Sequence, residues 1–105
     1  MNLNEIQDSV TQWAHDRNLI EGTTTDKQFV KLIEEAGELA ECLAKDKRLD
    51  DVEPEIGVML VVLNNICVQK GTTLNNCFWS AWMKIKDRRG KMIDGYYVKE
   101  DDITS

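Results

Sequence analysis

Apolar residues recur at three- and four-residue intervals along most of the chain, and no convincing strand alternation precedes the tail. Leu3, Ile6, Val10, Trp13 and Ala14 mark a first amphipathic helix. The polar stretch EGTTTDK reads as a loop, with Thr25 or Asp26 as the N-cap of a second helix. That helix is predicted from about Lys27 to Lys47, with Phe29, Ile33, Ala36, Gly37, Ala40, Leu43 and Ala44 on one side and Leu32 and Leu39 widening the arc.

Asp50 and Asp51 signal a third helix, and Pro54 is placed in its first turn, where proline is tolerated. From Ile56 to Val68 this helix is apolar on nearly every face, so other helices, some from a second subunit, are expected around it. Gly71 ends it, and Thr72 or Thr73 is placed to cap a fourth. Leu74, Cys77, Phe78, Ala81, Trp82 and Ile85 then form a regular stripe expected to be buried, with Gly90 as the stop. Residues 91–105 form a C-terminal arm, either irregular or a hairpin turning at Asp94–Gly95, with a frayed acidic end. The predicted fold is all-α: one domain over 1–105, a four-helix bundle serving as the protomer of an oligomer.

Length supports the oligomer. A chain of 105 residues buries only roughly 60–70% of its unfolded surface when alone. The formal charge of −6 argues against a nucleic-acid surface. Cys42, Cys67 and Cys77 lack any CxxC spacing and read as reduced thiols in helix cores. The first ten residues lack the pattern of a signal peptide, and the apolar run after Pro54 is too short to span a bilayer. A cytoplasmic protein with no membrane partner is expected. His15 is taken as a surface residue with no partner to suggest catalysis.

The chemistry concentrates in IEEAGELAE, residues 33–41. Helical geometry puts Glu34, Glu38 and Glu41 on one side, with Glu35 displaced toward the Leu32 and Leu39 edge of the apolar arc. Like charges at this spacing repel by a few tenths of a kcal/mol per pair, and Lys31 alone lies close enough to offset them. A solvated acidic face is the plainer reading. Glu55 weighs against it, since this carboxylate heads the apolar stripe Val58, Met59, Val62 and Ile66. Interaction with the helix N-terminus would account for Glu55 modestly. A site for a hard cation would account for it together with Glu35 and Glu38, because Mg²⁺ takes carboxylate oxygens and bridges to phosphates.

These residues resemble the MazG-like all-α nucleoside triphosphate pyrophosphohydrolases, especially the short forms of phages and mobile elements. The family's EExxE motif is matched by Glu34-Glu35-Ala36-Gly37-Glu38, and its ExxD motif by Glu55-Ile56-Gly57-Val58. The tail KIKDRRGKMIDGYYVKE is also similar, so the resemblance covers nearly the whole chain. It implies an oligomer, dimer or tetramer, that uses Mg²⁺, with Mn²⁺ as an alternative, to cleave a nucleoside triphosphate into the monophosphate and pyrophosphate. It further implies Glu35, Glu38 and Glu55 as metal ligands, with Glu34 an auxiliary acid orienting the attacking water. The fourth ligand position falls on Val58, which cannot coordinate a metal. Losing one such oxygen costs on the order of several kcal/mol of transition-state stabilisation.

Lys84, Lys86, Arg88, Arg89 and Lys91 form a basic cluster. It reads either as complement to a helix C-terminus or as a triphosphate contact made by Lys84, Arg88, Arg89 and Lys91. Trp13, Trp79, Trp82, Tyr96 and Tyr97 could stack a base or simply form core. Two other readings compete with the enzyme: a catalytically impaired homologue kept as a nucleotide-binding or assembly module, and a helical oligomer without a ligand.

Overall fold

The computed structural model describes residues 1–103. Four helices of three or more turns run in order: α1 (Leu3–Asp16), α2 (Thr25–Ala44), α3 (Leu49–Lys70) and α4 (Leu74–Ile85). A two-stranded antiparallel sheet, β1 (Gly90–Ile93) and β2 (Tyr96–Lys99), and a single turn, α5 (Glu100–Ile103), complete the described chain. Met1–Leu74 form one compact unit, and the residues from Asn75 onward form a second.

In the first unit, α3 packs along α2 and is crossed by α1. The start of each helix has a local cause. Asn2 caps α1 by accepting from the Glu5 N–H at 2.9 Å, and Thr24 caps α2 by accepting from the Lys27 N–H at 3.2 Å. The cap of α2 is therefore Thr24, one residue before the expected Thr25 or Asp26. α2 also ends early, at Ala44, where Asp46 takes a left-handed conformation (φ 51°) and turns the chain.

α3 starts at Leu49, so Pro54 falls in its second turn, beyond the first turn where it was expected. Proline there offers no N–H, yet the helix continues through it. Gly71 closes α3 in the left-handed conformation that glycine adopts freely (φ 76°).

The core of this unit mixes apolar and amide side chains. Ala14, Ile20, Val62 and Cys67 are buried, and so are Gln28, Asn64 and Asn65. Asn64 Nδ2 donates to Thr11 Oγ1 at 2.9 Å, tying α3 to α1. Gln69 Nε2 donates to the carbonyls of Ile20 and Thr23, and Gln28 Nε2 to that of Leu19, so the α1–α2 loop is held from both sides. Ile56, Val58 and Leu60 remain exposed, so α3 is enclosed only in part within the single chain. Of the cysteines, Cys67 alone is buried; Cys42 is half-buried and Cys77 exposed.

In the second unit, α4 stops at Ile85, five residues before the expected stop at Gly90. Lys86, Arg88 and Arg89 lie in the connection, and Lys91 lies on β1. Gly90 has a different role: a Cβ there would fall on the Val98 carbonyl oxygen and the Tyr97 ring, so only glycine permits this strand approach. The arm is a hairpin, with Asp94 (φ 53°) and Gly95 (φ 83°) in the positive-φ turn that Asp-Gly favours, and Ile93 paired with Tyr96.

The acidic stretch expected to fray forms α5 over Glu100–Ile103, while residues 104 and 105 lie outside the described part. The stripe of α4 is not buried: Phe78 is 76% and Trp82 51% exposed, and no α4 residue is buried. Helical periodicity marks a face that favours an apolar partner; it does not say that the same chain provides one.

Candidate cation site

Three carboxylates meet in the first unit. Glu35 and Glu38, one turn apart on α2, converge with Glu55 of α3, and one oxygen from each lies within 4.8 Å of the others. The i, i+3 spacing sets two acids on one strip of α2, and the packing of α3 along α2 supplies the third. Among the described residues, no second group of three His, Cys, Asp or Glu side chains is drawn together in this way.

The environments of the three differ. Glu35 is only 5% exposed, Glu55 is half-buried and Glu38 is exposed. A buried carboxylate needs a counter-charge, and Lys31 provides one: its Nζ lies 3.1 Å from Glu35 and 3.5 Å from Glu34. The hydrogen bond and charge of Glu35, reinforced by Glu34, hold the Lys31 ammonium above its ordinary pKa. The Glu38 carboxyl is also pushed up, first by the negative charge of Glu35 and a hydrogen bond with it, then by Glu55 and desolvation; Lys31 offsets part of this. The cluster holds more negative charge than Lys31 balances.

The donor set suits a hard divalent cation, which binds carboxylate oxygens. Two ligands sharing one Mg²⁺ lie at most about 4.2 Å apart, since each Mg–O bond is about 2.1 Å. The three oxygens, all within 4.8 Å of one another, meet that limit with at most a small side-chain adjustment, which the exposed Glu38 can make.

The remaining predicted residues are distributed as follows. Glu34 is exposed on the Lys31 side of α2 and is not part of the convergence. Val58 lines a separate apolar hollow of about 460 Å³ with Ser9, Val10, Trp13 and Val61, on the α1 side of α3. Lys84, Arg88, Arg89 and Lys91 belong to the second unit. His15 is at the surface, as expected, with its Nδ1 3.0 Å from Glu21. Trp13 carries the Arg17 guanidinium over its ring, 4.9 Å from the centroid.

Other residues at the cluster were not singled out from the sequence. A cavity of about 300 Å³ beside it is lined by Glu38, Glu41, Cys42, Lys45, Lys47 and Glu55. The i, i+4 spacing of Glu41 and Lys45, which form an ion pair, was the available signal for part of it. Lys47 comes near Glu55 only because α2 ends at Ala44, and the periodicity extended that helix to Lys47 itself.

Comparison with known proteins adds one relationship. Over 61 residues, 58% of the chain, it is 46% identical to the uncharacterized 18.2 kDa protein of the rep-hol intergenic region of Haemophilus phage HP1 (strain HP1c1). The match covers 37% of that relative's length. No protein-family profile and no solved structure matches the chain. No helix among the described residues is long and apolar enough to cross a membrane.

Proposed function

We propose that the chain is a cytoplasmic, MazG-like nucleoside triphosphate pyrophosphohydrolase that uses Mg²⁺, or Mn²⁺ in its place, and works as a homo-oligomer. The observation that carries this reading is the meeting of Glu35, Glu38 and Glu55 from two helices. The motif resemblance assigns the ligand role to the same three residues. The exposed aromatic stripe of α4 supports assembly, because such a face is normally covered in the working state.

In this reading Glu35, Glu38 and Glu55 hold the cation. When bound, the cation neutralises phosphate charge and lowers the pKa of water. Water attacks the α-phosphorus, a new P–O bond forms, and the bond to the β-phosphate oxygen breaks to release pyrophosphate. The proton freed from the water passes to a carboxylate oxygen of Glu34, which the exposed Glu34 can offer. Lys31 pairs with both Glu34 and Glu35 and fixes their side of α2. Lys84, Arg88, Arg89 and Lys91 are the proposed triphosphate contacts, arginine being suited to bidentate binding of phosphate oxygens.

A second reading is favoured by Val58. A valine lining an apolar hollow contributes no oxygen where the resembled motif has aspartate, so the chain would be an impaired homologue that binds nucleotides or assembles without turnover. The two readings separate in a phosphorus NMR assay of a nucleoside triphosphate with the native chain. An enzyme yields monophosphate and pyrophosphate only with Mg²⁺ present, and loses the activity in Glu38→Gln. Binding of nucleotide without either product is the result for an impaired homologue.

A further inference from the structure

The cavity at the end of α2 contains a cation that the fold leaves uncommitted. Of its lysines, Lys45 is paired with Glu41, while Lys31, beside the cluster, is held by Glu34 and Glu35. Lys47 also lines the cavity and has no acidic partner within ion-pair distance among the described residues. It sits two residues before α3, a helix whose N-terminus has no side-chain cap.

A cation held by Glu35, Glu38 and Glu55 bridges naturally to phosphate oxygens. A phosphate brought into this cavity would lie beside Glu38, Glu41 and Glu55; with Glu38 and Glu55 on the cation and Glu41 on Lys45, one further positive charge would hold it. The ammonium of Lys47, on a flexible stem, is that charge. At about 300 Å³ the cavity falls at the small end of ligand pockets, which run from about 300 to 1,000 Å³, and suits a phosphate or pyrophosphate group better than a whole nucleotide.

We infer that this cavity is a phosphate subsite, with Lys47 anchoring a phosphate group of the cation-bound ligand. The inference rests on the cation site proposed above. Lys47 therefore adds a phosphate contact within the unit that carries the three carboxylates.

The test is calorimetry on the full chain with Mn²⁺ alone, and then with inorganic pyrophosphate in the presence of Mn²⁺. Lys47→Ala should bind Mn²⁺ no more weakly than the native chain, yet bind pyrophosphate about tenfold or more weakly. Lys47→Glu should weaken pyrophosphate further. Alkylation of the half-buried Cys42, in a Cys77→Ser background, should be slowed by pyrophosphate with Mn²⁺, which places the ligand in this cavity. Native pyrophosphate affinity in Lys47→Ala, or no protection of Cys42, overturns the subsite and leaves the cation site standing. A native chain that takes up no Mn²⁺ overturns both.

Discussion

Lys31 and Glu35 are joined by a 3.1 Å ion pair whose two ends have opposite surroundings: the ammonium is exposed and the carboxylate is almost fully buried. Lys31 thus supplies a positive charge from the chain itself where three carboxylates converge. Lys31→Met should lower the metal-free melting temperature, because Glu35 is left buried and uncompensated beside Glu38. Added Mg²⁺ should restore more of the loss than it adds to the native chain. A melt insensitive to Mg²⁺ in both proteins counts against the cation site.

Glu38 gives a pH dependence with a definite sign. Its carboxyl is raised in the folded chain, so the folded state holds this proton more tightly than the unfolded state does. Its contribution favours folding at low pH and is lost as pH rises through the raised value. Glu38→Gln removes the repulsion, so without metal it should melt higher than the native chain at pH 7. The difference should vanish below about pH 4, where Glu38 is protonated in both states. Melting curves across that range, in the presence of a chelator, check this. A variant that melts lower at pH 7 contradicts the crowding of charge described here.

The hydrogen bond from Asn64 to Thr11 pins α1 to α3 inside the core. Thr11→Val keeps the shape and removes the acceptor, leaving the Asn64 amide buried with an unmade bond, which costs about 1–3 kcal/mol. Adding Asn64→Leu should recover part of that loss. Urea unfolding of the single and double variants measures the coupling, and additive losses would show that the bond contributes nothing.

Gly90 is tested by Gly90→Ala. The added methyl meets the Val98 carbonyl and the Tyr97 ring, so the hairpin must open or shift at an expected cost of about 1–3 kcal/mol. Cross-strand NMR contacts between Met92 and Tyr97 should weaken while the helical circular dichroism is unchanged. Unaltered contacts would contradict the close approach.

Much of this was legible in the sequence, and the failures share a cause. Four helices, the Gly71 stop and the Asp94–Gly95 turn follow from local rules of periodicity and φ, and the structure has all three. The meeting of Glu35, Glu38 and Glu55 was also anticipated, because two of the three share a helix strip. Helix ends were harder. Thr24 outcompeted Thr25 and Asp26 for the cap, and α4 stops at Ile85 while Gly90 opens β1. The burial expected along α4 failed because periodicity records the need for a partner without locating it. Lys47 was missed because it meets the carboxylates only through the turn after Ala44, which no local pattern announced, and Cys42, one turn after Glu38 on α2, was read as a core thiol.

Cation-dependent phosphate chemistry at Glu35, Glu38 and Glu55 is tested by placing the native chain and Val58→Asp side by side in a phosphorus NMR assay over a panel of nucleoside triphosphates with Mg²⁺. Monophosphate and pyrophosphate are expected from at least one substrate with the native chain, and faster release from Val58→Asp, which restores the aspartate of the resembled motif. Turnover by Val58→Asp alone would make the native chain an impaired homologue. The absence of product from both, with no shift in melting temperature on adding Mg²⁺ and nucleotide, would contradict the claim that Glu35, Glu38 and Glu55 form a site for cation-dependent phosphate chemistry.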